Sequence, residues 1–169
     1  MAEAQDKKSL GKIADLVEDL KQREIPAVTK QATVSEIVDA FVASHHSHII
    51  YVVDDAGRLI GVISLGNLVR HVFFLYHDQS IDARSLISMV VSETAEDFMQ
   101  KEPTVTTLSE DVEDVLQRMI NHNIKEIPIL DDDKRIVADL TIVDLLKHYK
   151  CIKGPDLSSH SPKAVSQNG

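Results

Sequence analysis

Two stretches of the chain carry the same stripe of apolar positions. Val34, Ile37, Val38, Phe41 and Val42 recur as Val112, Val115, Leu116, Met119 and Ile120, the i, i+3, i+4, i+7, i+8 spacing that gives a helix one apolar face. Thr33 with Glu36, and Asp111 with Asp114, precede them as cap and third-residue pairs able to satisfy free backbone N–H groups. Each helix is followed by an apolar run ending in paired acids, Ile49 to Val53 before Asp54-Asp55 and Ile127 to Leu130 before Asp131-Asp132, and such runs predict buried strands. Gly57 in one copy and Asp133-Lys134-Arg135 in the other predict turns into further strands, Leu59 to Ile63 and Ile136 to Leu140. A second helix closes each unit, from Gly66 to about Leu75 and from Val143 to about Tyr149.

The likeness extends upstream. Glu18 to Thr29 lies beside Glu96 to Thr106, offset by 78 at Glu18/Glu96 and by 77 at Pro26/Pro103. The chain is therefore an internal repeat. Each β-α-β-β-α unit spans roughly sixty residues, too few to bury both faces of its sheet unaided, so two units should pack on each other. The expected fold class is α/β (α+β), with repeats over residues 9–75 and 94–150, a connecting segment at 76–93, and flexible ends at 1–8 and 151–169. The stretch from His71 to about Thr94 concentrates Phe73, Phe74 and Tyr76, then Leu86, Ile87, Met89, Val90 and Val91. Two readings stand for it: the closing helix runs long and packs these residues inward, or they form an oligomer or partner surface.

Composition narrows the function. At 169 residues and 43% hydrophobic content the chain can bury a core. Eighteen basic against twenty-seven acidic residues give a net charge of -9, which repels phosphate backbones and anionic lipid and argues against nucleic acid or membrane as partner. Cys151 is the single cysteine, so no internal disulfide forms. No apolar run approaches the ~20 residues needed to cross a bilayer. Met1 to Lys8 lacks a basic-then-apolar signal pattern, and a cytoplasmic location is expected.

The candidate chemistry is sparse. His45, His46 and His48 form H-H-x-H, but alternation along a strand splits neighbouring side chains, and no Cys or second His-rich tract completes a tetrahedral set. No metal is expected. His71 and His148 occupy equivalent positions on the closing helices, as surface or interface residues. G-x-S-x-G, P-loop and G-x-G-x-x-G motifs are all missing, and Cys151 beside Lys150 and Lys153 reads as an incidental thiol. No enzyme is expected.

The repeat, its Ile127-Pro128-Ile129-Leu130-Asp131 strand and the Gly61-Val62-Ile63-Ser64-Leu65-Gly66-Asn67 segment resemble a pair of cystathionine-β-synthase-type (CBS) domains, the Bateman module, over about Ser9 to Lys150. The resemblance implies two βαββα units related by a pseudo-twofold, two clefts between their sheets, and a homodimer of modules. It also implies an adenosine-containing effector, AMP, ADP, ATP or S-adenosylmethionine, on which no chemistry is performed. The family motif Gly-h-x-Thr/Ser-x-x-Asp/Asn, with h apolar, falls on Gly61, Ser64 and Asn67 in the first repeat and on Ala138, Thr141 and Asp144 in the second. A carboxylate at a helix start can accept from both ribose hydroxyls, and a Ser or Thr hydroxyl reaches ribose or phosphate. Thr141-x-x-Asp144 and Ser64-x-x-Asn67 are equally ordinary helix caps.

The two motifs differ from each other. Asn67 offers one acceptor oxygen where Asp144 offers two, so the first cleft should hold ribose more weakly. Asp139 stands at an apolar pocket position, where its charge is costly to bury unpaired; it reads an amino group or rejects phosphate. At the positions where the family often places cations stand His48 with Ile49, and Lys125 with Glu126, one cation per repeat. That favours AMP or S-adenosylmethionine over a triphosphate. By the same resemblance, Val28, Thr29, Val105 and Thr106 on the first strands, and Ile50, Tyr51, Ile127 and Pro128 on the second, should line the base pockets. The expected function is a stand-alone sensing module; a dimerisation or protein-interaction module with empty clefts is the alternative.

Overall fold

Both apolar stripes form helices. The chain is described by a computed structural model over residues 9–44, 47–77 and 93–153. The first half runs α1 (Ala14–Leu20), β1 (Ala27–Thr29), α2 (Val34–Ala43), β2 (Ile49–Val53), β3 (Leu59–Ser64) and α3 (Leu65–His77). The second runs α4 (Ala95–Phe98), β4 (Gln100–Lys101), β5 (Thr106–Thr107), α5 (Val112–Asn121), β6 (Glu126–Leu130), β7 (Ile136–Thr141) and α6 (Ile142–Lys153). The fold is mixed α and β in two sheets, ordered β1-β2-β3-β4 and β5-β6-β7, as tandem βαββα repeats require. Residues 1–8, His45, His46, most of the connecting segment and the tail from 154 lie outside the described residues, as do the side chains of Phe74 and Tyr76.

The registers repeat. Ile49 faces Ser64 and Val52 faces Gly61 between β2 and β3; Glu126 faces Thr141 and Ile129 faces Ala138 between β6 and β7. Each hairpin slips register at the same place, Val52/Val53 and Ile129/Leu130. The Gly-to-Ala difference has a packing cause. A Cβ on Gly61 would lie 2.5 Å from Met99 Sδ and 3.0 Å from the Gln100 carbonyl oxygen, because β4 pairs alongside. Beside Ala138 the sheet has no fourth strand among the described residues.

Thr33 and Glu36 form the reciprocal capping box that the sequence predicts, Thr33 N–H donating to Glu36 at 2.7 Å and Glu36 N–H to Thr33 at 3.3 Å. The expected cap at Asp111 is corrected: its side chain makes no cap hydrogen bond. Lys12 Nζ holds that carboxylate at 3.0 Å, where residue 12 bridges Asp111 in an isolated antiparallel pair. The closing helices extend to His77 and Lys153, past the predicted Leu75 and Tyr149. Val72 packs against the first core, whereas Phe73 is 56% exposed.

The leading helices change sides. Ile13, which precedes α1, and Leu16, Val17 and Leu20 on it join the second repeat's core with Val112, Val115, Met119, Ile127, Ile129 and Leu140, and Ile13 N–H donates to the Glu110 carbonyl at 3.0 Å. Ala95 on α4 joins the first core with Val34, Ile37, Val52, Ile63 and Leu68, its N–H reaching the Ala32 carbonyl at 2.8 Å. Each half's hydrophobic face is completed by the other half's leader. The equivalent histidines pin these leaders: His148 Nε2 lies 2.6 Å from the Leu10 carbonyl, while His71 stacks on Phe98 and meets Glu93 at 2.5 Å. No helix among the described residues is long and apolar enough to cross a membrane.

Candidate functional site

Each closing helix starts directly at the end of a strand, which places the Ser64/Asn67 and Thr141/Asp144 pairs at equivalent corners beside two clefts. In the second, Thr141 and Asp144 are reciprocally bonded: the Thr141 N–H and hydroxyl donate to Asp144 Oδ2 at 3.0 and 2.6 Å, and the Asp144 N–H donates to the Thr141 hydroxyl at 3.2 Å. The other carboxylate oxygen, Oδ1, accepts from Arg23 at 2.5 Å. Burial opposes the Asp144 charge, but Arg23 and Thr141 outweigh it and hold the carboxyl below its usual range.

Deeper in, the buried Tyr51 hydroxyl donates to Asp139 across the two halves. Burial pushes the Asp139 carboxyl up to about 6, the Tyr51 bond pulling the other way and the Glu126 charge adding to the rise. Burial likewise raises the Tyr51 phenol well above its ordinary value. Glu126, also buried, accepts from the Ser47 hydroxyl at 2.7 Å and the His48 N–H at 2.9 Å, with His48 Nδ1 at 3.0 Å. Every buried side-chain nitrogen and oxygen among the described residues has a partner, so burying these acids leaves no orphaned polar atom.

Around these groups lie two hollows. One, about 550 Å³, is lined by Arg23, His48, Lys125, Glu126, Thr141, Ile142, Val143, Asp144 and Lys147; a smaller one, about 250 Å³, is lined by Arg23, Glu24, Pro26, Ser44, Ser47, Asp139 and Thr141. The count of one cation per repeat covers only the positions before the second strands. Folding brings Arg23 from the first leader and Lys147 from α6 to join Lys125 and His48, a basic rim suited to an anion.

The first cleft is a cavity of about 560 Å³ with a largely apolar wall of Ile49, Val62, Leu65, Val69, Pro103, Ile124 and Pro128, joined by Ser64, Gly66, Gln100, Thr104 and Asn123. The repeat explains its shape. Pro128 and Val62 stand where the second cleft has Tyr51 and Asp139, so no phenol fills this side. Ser64 Oγ accepts the Asn67 N–H at 3.1 Å, and Asn67 Oδ1 accepts from Arg70 at 3.3 Å. His48, Lys125 and Glu126 line this cavity as well as the larger hollow of the second cleft.

The predicted site residues therefore separate. Thr141, Asp144, Asp139, Lys125 and His48 gather at the second cleft, and Ser64 and Pro128 at the first. Tyr51 is buried behind Asp139, Ile50 and Ile127 are fully buried, and Val28 packs against the first core. Thr106 donates to Glu110, and the Val105 carbonyl accepts from Arg118. None of these last six lines a described cavity, nor do Thr29, Gly61 and Asn67. Sequence reasoning missed Arg23, Lys147, Ser47, Pro103, Thr104 and Asn123; the likeness of Glu18 to Thr29 with Glu96 to Thr106 is the signal that the leaders stand at equivalent places. Among the described residues no group of three or more His, Cys, Asp or Glu is arranged to hold a metal ion.

The CBS-domain family model matches the chain twice, over residues 17–73 and 95–150. Among solved structures, a CBS domain-containing protein from Thermotoga maritima is 25% identical with a TM-score of 0.65, over 86% of this chain and 97% of that one. CBSX2 in complex with AMP, a CBS-pair protein from Arabidopsis thaliana, is 21% identical with a TM-score of 0.65, over 85% and 98%. The CBS domain pair of protein MJ0100, in complex with 5'-methylthioadenosine and S-adenosyl-L-methionine, is 20% identical with a TM-score of 0.59, over 84% and 98%. At those two identities the likeness is one of fold. No curated protein matches the chain significantly. Two matched copies, the repeated registers and the shared architecture make this chain a member of the CBS-domain family, built as a tandem pair.

Proposed function

We propose that this chain is a regulatory module that binds an adenosine-containing ligand, AMP, ADP, ATP or S-adenosylmethionine, between its repeats and performs no chemistry on it. The observation carrying the reading is the second cleft, where a Thr141/Asp144 pair opens α6 under a rim of Arg23, Lys125 and Lys147. Support also comes from two CBS pairs of the same fold, one in complex with AMP and one with 5'-methylthioadenosine and S-adenosyl-L-methionine. For signalling, the ligand must favour one arrangement of the repeats over another. Calorimetry with AMP, ATP and S-adenosylmethionine tests the reading; absence of heat with all three would sink it.

Asp144→Ala is expected to weaken binding by roughly 1.5–3 kcal/mol, the range for hydrogen bonds to a charged group, and Thr141→Val by less. An unchanged affinity with an intact fold discards the ribose assignment. Asn67→Ala should cost less than Asp144→Ala, since an amide presents one acceptor; an equal loss means both clefts are used.

A homodimer is the proposed assembly. Val42, Leu65, Val69 and Phe73 in one repeat and Ile120, Val143 and Leu146 in the other are exposed apolar side chains, with Val42/Ile120 and Val69/Leu146 at equivalent positions. Sedimentation of the intact chain as a monomer would refute it. The same surface, together with a second cleft whose acids are already satisfied, favours the competing reading of a dimerisation module with empty clefts.

A further inference from the structure

We propose that Arg23 is an ionic latch on the second cleft, closed across Asp144 and opened by the anionic group of a phosphorylated nucleoside. The proposal rests on the reading of Asp144 as the ribose-binding carboxylate. Arg23 sits on the turn that ends α1, its N–H bonded to the Leu20 carbonyl at 3.1 Å, and α1 is fixed in the second core. From that anchor the guanidinium reaches in from solvent, its side chain 41% exposed against 8% for Asp144. Arg23 and Thr141 line both hollows of this cleft, so the pair stands between them.

The closed state competes with ribose. Oδ2 of Asp144 already takes two bonds from Thr141, and Oδ1 takes the bond from Arg23; a ribose diol that uses both oxygens must displace the guanidinium or share it. A phosphate changes that balance. Lys125 and Lys147 line the same hollow and pair with no carboxylate among the described residues. A phosphate seated between them offers the guanidinium fork a two-pronged acceptor in place of its single bond to Oδ1, which draws it off Asp144 and frees the carboxylate for the sugar. An uncharged nucleoside has no such group and must break the ion pair unaided. The second cleft is thereby selective for nucleotides over nucleosides.

The first cleft lacks the device. By the repeat offset the counterpart of Arg23 is Lys101, which sits in β4 opposite Gly61 and lines no described cavity. Asn67 accepts from Arg70 on its own helix.

Calorimetry on the full chain with AMP and with adenosine tests the latch, the second-cleft signal being the component that Asp144→Asn removes. In the wild type AMP should bind about tenfold or more tighter than adenosine. Arg23→Gln should weaken AMP and tighten adenosine, each by about tenfold, the low end for a charge-assisted bond. Equal weakening of both ligands with the ratio preserved overturns the latch and leaves the ribose assignment standing. If wild type and variant bind neither ligand, the latch fails; the proposed function fails with it only when ATP and S-adenosylmethionine also give no heat. A second measurement needs no variant: inorganic phosphate added to the wild type should tighten adenosine binding by occupying the lysines and Arg23, and unchanged or weaker adenosine binding overturns the latch.

Discussion

Ile13→Ala is expected to destabilise the protein by about 2–5 kcal/mol, as large-to-small changes in packed cores do, although residue 13 precedes the first repeated helix. Ile13 is fully buried, and its neighbours in the core are Val112, Val115, Met119 and Leu140 of the second repeat. Urea unfolding measures the loss. Amide exchange should quicken more in α5, β6 and β7 than in β2 and β3, since the side chain removed lies in their core and outside the first. A loss below about 1 kcal/mol, or faster exchange confined to the first repeat, contradicts the exchange of leading helices.

Asp139→Asn is expected to stabilise the protein by up to about 3 kcal/mol at pH 7.5 and to change little below pH 4. The carboxyl has a folded value of about 6 against an ordinary 3.8, so the folded chain binds this proton more tightly than the unfolded chain. Its stabilising contribution is complete below the unfolded value and disappears as pH rises through about 6; each pKa unit corresponds to 1.36 kcal/mol. An amide oxygen still accepts from Tyr51 without carrying charge. Denaturation midpoints between pH 4 and 7.5 should fall more steeply with pH in the wild type than in the variant. Parallel profiles would mean that Asp139 titrates as an ordinary carboxylate.

The features legible in the sequence are those that local period and spacing determine. The Val34 and Val112 stripes, the strand runs before Asp54 and Asp131, and the offset of 77 to 78 residues follow from side-chain periodicity, and the structure returns them with repeated registers. The family resemblance rests on the repeat together with the Ile127 to Asp131 strand and the Gly61 to Asn67 segment. What stayed hidden depends on long-range contact. Arg23 and Asp144 are 121 positions apart, and nothing near either names the other. Asp111 satisfies every local rule for a cap, yet an ammonium 99 positions away takes its carboxylate. Glu126 occupies a position where the family pattern favours a cation; only folding brings the Ser47 hydroxyl and His48 N–H that permit a buried acid there.

The two clefts share one wall. His48, Lys125 and Glu126 face an apolar chamber on one side and a basic-rimmed one on the other. A change at His48 therefore has no single-chamber meaning: its effect on a titration curve is a composite of two occupancies, and only a probe that reports each chamber separately can resolve it.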